Sequence, residues 1–151
     1  MKELKLTEEN SWKAALYFSR IALAAAFLSA VADRFGLWGK MGELGVSWGS
    51  MAGFYPHVAK LSPWSPAAFI PALAWLITIL EALLGIFLLL GIQVRKTALF
   101  SALLLLLFAM SMMAFQSLKL SLNFSVLTCA ACAVFVYLAS NTQAREFGRA
   151  R

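Results

Sequence analysis

The chain has 151 residues, of which 62% are hydrophobic and 13% charged, and its formal net charge is +6. A water-soluble domain carries about 45–50% apolar and about 25% charged residues, so this composition excludes one and calls for a membrane as solvent. The basic residues are spread over termini and loops with no interleaved aromatics, which excludes a nucleic-acid surface and assigns the charge to membrane topology and lipid head groups.

The length fits one domain. The first stretch, Met1–Trp12, is polar and carries both signs, and no small-residue cleavage site follows a short apolar core. The apolar segment after it is therefore expected to act as an uncleaved signal anchor. Ser11 or Asn10 is expected to cap its helix, and Trp12 suits the membrane–water interface.

The first predicted spanning segment covers about 13–34 and carries Arg20. Ala15, Ser19, Ala22 and Ala26 share one helical face, and small residues let another helix approach closely in lipid. Charge returns at Asp33-Arg34, which reads as a helix-end pair. The connection that follows, about 35–66, repeats glycine at 36, 39, 42 and 45 and contains Trp38, Trp48 and Trp64. That mixture predicts a folded cap on the bilayer surface, with a short interfacial helix over Ser50–Lys60 interrupted in pattern by Pro56.

The second segment, about 67–92, is the most informative. Ala74, Thr78, Glu81 and Gly85 fall on one helical face, with Leu76, Leu80, Leu83, Phe87 and Leu90 opposite. A carboxylate at that depth costs about 2.5–3.5 kcal/mol on insertion scales, so Glu81 must be paired, protonated or useful. A tight basic turn, Gln93-Val-Arg95-Lys96, then leads into a third segment at about 97–116, making the two antiparallel neighbours. The fourth segment, about 122–140, places Ser125, Thr128, Cys129 and Cys132 on one face, and a polar tail follows. Eight Lys and Arg flank one side of these segments and four the other, which puts both termini in the cytoplasm and the cap outside.

Two constellations carry chemistry. Arg20 lies about 10 Å deep, and Glu81 about 16 Å from the same side, at 1.5 Å per residue. The two are expected to pair, either as a lock on helix register or as a polar site, with Thr78, for a quinone head group or a proton. Cys129-Ala-Ala-Cys132 has the spacing of a redox pair, as in membrane thiol oxidoreductases of the vitamin K epoxide reductase type, and equally suits packing by small apolar residues. His57, with Asp33 and Glu43, does not make a metal site, and no nucleotide or phosphate-binding motif is present.

From Ser19 to Ala139 the chain resembles the DoxX family of small four-helix membrane proteins. The resemblance rests on Arg20, Ser29-Ala-Val-Ala-Asp-Arg-Phe-Gly-Leu-Trp-Gly39, Val46-Ser-Trp-Gly49 with Phe54-Tyr55, Leu80-Glu-Ala-Leu-Leu-Gly85, Leu89-Leu-Gly91, Arg95, Phe108-Ala-Met110 and Leu120-Ser-Leu-Asn-Phe-Ser-Val126. Much of that family carries a lysine where this chain has Asp33-Arg34. The resemblance implies a bacterial or archaeal membrane protein, some relatives being subunits of quinone-linked oxidoreductases.

The expected fold is all-α: an antiparallel bundle of four transmembrane helices with an extracytoplasmic cap between the first two, in a bacterial inner membrane. The leading functional expectation is a redox-associated subunit binding a quinone-like or other lipid-soluble molecule at Arg20, Thr78 and Glu81, with electrons from an oxidoreductase partner. The competing expectations are a scaffold or assembly subunit with a structural Arg20–Glu81 pair, a thiol-disulfide oxidoreductase using Cys129 and Cys132, and a small transporter. Membrane lipids and a second copy of the chain are further expected partners.

Overall fold

The computed structural model describes the backbone of residues 2–149 and the side chains of residues 10–140. Every regular element among the described residues is helical. The helices are α1 (Lys2–Arg34), α2 (Met51–Leu61), α3 (Ile70–Leu90, preceded by a 3₁₀ turn at Ala67–Phe69), α4 (Val94–Phe115), α5 (Leu118–Asn123) and α6 (Val126–Arg149).

Three stretches are long and apolar enough to cross a membrane: Asn10–Arg34, Ala67–Leu90 and Val94–Phe115. No more than 33% of the most apolar part of any of these helices is buried inside the protein. Phe18, Ile21, Leu76, Leu83, Leu90, Phe100, Leu103 and Leu107 all point outward. A belt of that size facing water would forfeit the gain that burial of apolar area supplies, so its natural solvent is hydrocarbon. The apolar part of α6, Val126–Ser140, is shorter than the other three.

Several helix ends differ from expectation. α1 begins at Lys2, so neither Asn10 nor Ser11 caps it; the 2–12 stretch holds no glycine or proline to stop a helix propagating outward from the apolar segment. The fourth segment is broken rather than continuous. α5 ends at Asn123, Ser125 adopts a left-handed φ of 54°, and α6 restarts at Val126 and runs through the expected polar tail to Arg149. The short helix expected over Ser50–Lys60 is present as α2, started by Ser50, whose side chain accepts the Gly53 N–H at 3.0 Å. It runs through Pro56 at the loss of one backbone bond.

α1 and α3 are antiparallel, with residues near 34 beside Thr78 and Glu81, and Arg20 beside Gly91. The small stripe of α3 is buried as its periodicity requires: Ala74, Thr78, Glu81 and Gly85 all face inward. A Cβ at Gly85 would sit 2.9 Å from the Leu28 Cγ of α1, so that glycine sets the closeness of the two helices. The small face of α1 does not do the same. Ala15, Ala22 and Ala26 are exposed, and α1 instead buries Leu16, Leu23, Ala24 and Phe27. One small face is enough for an interface, and α3 supplies it; Leu28 and Phe27 of α1 pack against it at Gly85.

α4 and α6 form the other main interface, Ala98, Ser101, Ala102 and Ala109 meeting Val126, Ala130, Ala133 and Val136. That ridge displaces the polar face expected on α6: Thr128 is exposed, and Cys129 and Cys132 are half-buried beside it. α3 and α4, although joined by a short turn, touch over less of their length than either of these pairs.

Candidate functional site

The site is built at the carboxyl end of α1. The helix stops in a Schellman turn, with Leu37 N–H donating to the Ala32 carbonyl at 3.0 Å and Gly36 N–H to the Asp33 carbonyl at 2.9 Å. Gly36 holds φ of 72°, a left-handed conformation that side chains disfavour. This turn sends the chain back over its own helix end. There the Asp33 carboxylate collects three loop N–H groups, from Ser47 at 3.1 Å, Trp48 at 3.0 Å and Gly49 at 3.3 Å. Asp33 therefore pins the 47–49 loop above the next residue, Arg34.

Arg34 is 2% exposed and Glu81 5% exposed. The Arg34 Nη1 forms an ion pair with Glu81 Oε2 and donates to Thr78 Oγ1 at 2.9 Å. Thr78 Oγ1 in turn donates to the Ala74 carbonyl at 2.8 Å. The guanidinium lies 3.8 Å from the centroid of Phe54 and 5.2 Å from that of Trp48, both within cation–π range. Two opposite charges, a hydroxyl and two aromatic faces thus compensate one another away from solvent. The Arg34 Nε is buried with no hydrogen-bond partner in the protein.

Arg20 does not make this pair. A Cβ built on Gly91 would lie 3.1 Å from Arg20 Nη1, which places the guanidinium at the carboxyl end of α3, about 15 Å from Glu81 at 1.5 Å per residue. The negative end of the α3 dipole suits a cation there, and the Tyr17 ring lies 4.9 Å away. Depth alone put Arg20 and Glu81 within reach of each other. Side-chain direction forbids it, because side chains lean toward the amino end of their own helix. Arg20 leans away from Glu81, whereas Arg34 leans toward it.

Beside the pair lies a cavity of about 150 Å³. Arg34 and Glu81 form its polar wall, and Trp48, Phe54, His57 and Phe124 its aromatic one. Leu23, Phe27, Leu105 and Met112 close the rest. Its mouth adjoins a shallower recess that shares Ala26, Ala30, Trp48 and Phe124. The sequence places His57 in the cap but not in a site. The signal was its position on α2, one residue before Val58 and three after Phe54, on the side of the helix that buries both. His57 packs against Trp48, Phe54 and Phe124 at centroid separations of 5.6, 6.0 and 6.2 Å. Burial holds its pKa below the ordinary value, and Arg34 and then Lys60 push it the same way. The imidazole is accordingly a neutral wall near pH 7.

Cys129 also lines the cavity, whereas Cys132 donates its S–H to the Ser19 carbonyl at 3.5 Å. Both thiols are free. Among the described residues no three His, Cys, Asp or Glu side chains gather as metal ligands. Of the residues expected at the site, Thr78 and Glu81 are together, Cys129 is on the cavity wall, and Arg20 and Cys132 are elsewhere. Comparison with family models, curated proteins and solved structures returns no match.

Proposed function

We propose that this chain is a DoxX-like protein of a bacterial inner membrane that binds the ring of a quinone-like, lipid-soluble molecule beside Arg34 and Glu81. In this reading α1, α3, α4 and the α5–α6 unit form an antiparallel four-helix bundle. The 35–66 connection caps its outer end, and both termini are cytoplasmic. The observation that carries the binding reading is the cavity itself. A volume of about 150 Å³ is that of a site holding one six-membered ring.

The walls suit such a guest. Trp48, Phe54 and Phe124 offer ring faces, and Arg34 and Glu81 give the cavity its one polar wall. Glu81 holds the guanidinium in place, and Thr78 fixes its orientation. A quinone would supply electron and proton chemistry when bound, with electrons delivered by an oxidoreductase partner. The chain's own residues bind and orient the ring and keep water away.

A specific observation favours a second reading, an assembly or scaffold subunit: the Arg34–Glu81–Thr78 contact is closed and could serve only to lock α1 to α3. Binding distinguishes the two. A variant keeping Trp48 as its sole tryptophan is titrated in detergent with a short-chain benzoquinone. Saturable quenching that is weakened by Arg34→Lys and abolished by Ala30→Phe supports the ring site. Quenching that rises linearly with quinone, unchanged by either substitution, supports the scaffold.

A further inference from the structure

A second feature lies between α3 and α4, lined by none of the residues that line the cavity. Between α3 and α4 runs a groove of about 610 Å³. Its walls are apolar, including Leu83, Leu84, Phe87, Phe100 and Leu103. One end alone is polar, where Gln93, Lys96 and Thr97 enter it. Toward the other end it meets a further recess of about 440 Å³, with Leu80, Leu104 and Leu107 common to both, and this continues to Trp64 and Phe115. An apolar furrow with a cation at one mouth is thus laid along the face that looks into hydrocarbon.

We infer that this groove is a binding site for one anionic phospholipid, its acyl chain between α3 and α4 and its phosphate at Lys96. Three observations carry this. The first is charge. Lys96 is exposed and makes no ion pair among the described residues, while its neighbour Arg95 is turned onto the Tyr137 ring, 5.6 Å from the centroid. One cation of the turn is therefore left to the groove. The second is length. Lys96 to Leu107 spans eleven residues of α4, about 16 Å, which is half of a hydrocarbon core about 30 Å thick. The groove is one leaflet deep, with its charge at head-group level. The third is side. The basic turn belongs to the face that the distribution of Lys and Arg assigns to the cytoplasm, the leaflet in which anionic lipids attract basic residues.

A lipid here would fill the groove between α3 and α4, and so contribute to the bundle as a packing element. The site is independent of the Arg34–Glu81 cavity, and neither reading requires the other.

The test is native mass spectrometry of the full-length protein, released from nanodiscs of equal phosphatidylglycerol and phosphatidylcholine. The wild-type protein is expected to retain one phosphatidylglycerol over phosphatidylcholine by about fivefold, the contribution of one basic residue near a charged surface. Lys96→Gln is expected to abolish the preference, and Arg95→Gln to leave most of it. Leu84→Trp, which fills the groove, is expected to reduce retention of both lipids. Equal retention of the two lipids by the wild-type protein would overturn the inference. So would a preference that survives Lys96→Gln, one lost equally in Arg95→Gln, or a lipid-free dimer as the main species.

Discussion

Arg34 on α1 and Glu81 on α3 meet because antiparallel helices aim their side chains at each other, Arg34 leaning down from the end of its helix and Glu81 leaning up toward it. The rest of the site is arranged around that contact. Asp33 fixes the loop over it, Thr78 orients it, and the aromatic cavity opens beside it.

The pair is therefore expected to show strong energetic coupling. Arg34→Gln or Glu81→Gln alone should cost about 3–5 kcal/mol, since each leaves a buried charge unmatched. The double variant should lose less than the sum of the two, with a coupling of about 0.5–3 kcal/mol. Arg20→Gln combined with Glu81→Gln should be additive within about 0.5 kcal/mol. Denaturant unfolding in detergent micelles measures all of these, and coupling of Glu81 to Arg20 rather than Arg34 would refute the assignment.

Asp33→Ala removes the acceptor for three loop N–H groups at once. Bonds to a charged acceptor are worth about 1.5–3 kcal/mol each in favourable settings, so the loop should release from the helix end. Hydrogen exchange at Ser47, Trp48 and Gly49 should accelerate, and Trp48 emission should shift to the red. Unchanged exchange at those three amides would count against the anchoring role.

Gly85→Val should destabilise the α1–α3 interface by about 1–3 kcal/mol, the usual cost of overpacking. The nearest obstacles are Leu28 and the Phe27 Cβ. Leu28→Ala, which clears space, should recover part of that loss. The comparison is made by thermal unfolding, and a Gly85→Val protein as stable as the parent would place the helices farther apart than described.

His57 predicts an acid-side loss of stability. Its folded-state pKa is held below the ordinary value of 6.5, first by burial and then by Arg34 and Lys60. The unfolded chain therefore binds the proton more readily than the folded one. The stability present above about pH 6.5 should fall as pH drops from there toward the lowered folded value. His57→Phe keeps the aromatic packing and should flatten the profile across that window. A profile that is the same in both proteins would exclude the histidine as its source.

The membrane character, the three long apolar helices and the buried stripe of α3 were legible in the sequence, because composition and helical period report them directly. The small face of α1 was legible too, yet it misled. Ala15, Ala22 and Ala26 satisfy the spacing of a packing face, but α3 already supplies the small surface, and Leu28 and Phe27 pack against it at Gly85. The break between α5 and α6 was not legible, since nothing in Asn123-Phe-Ser125 demands a left-handed residue.

By itself the sequence determined that Glu81 sits on a buried face within an apolar helix and needs a partner, since the price of an isolated charge in hydrocarbon is set by the solvent alone. Only the tertiary structure decided which arginine that partner is. Helix depth is counted along one chain, whereas pairing depends on the register between two helices and on the direction in which each side chain leans. Gly85 against Leu28 fixes the first, and the antiparallel run of α1 and α3 fixes the second. Together they bring Arg34 to Glu81 and carry Arg20 to the opposite end of α3.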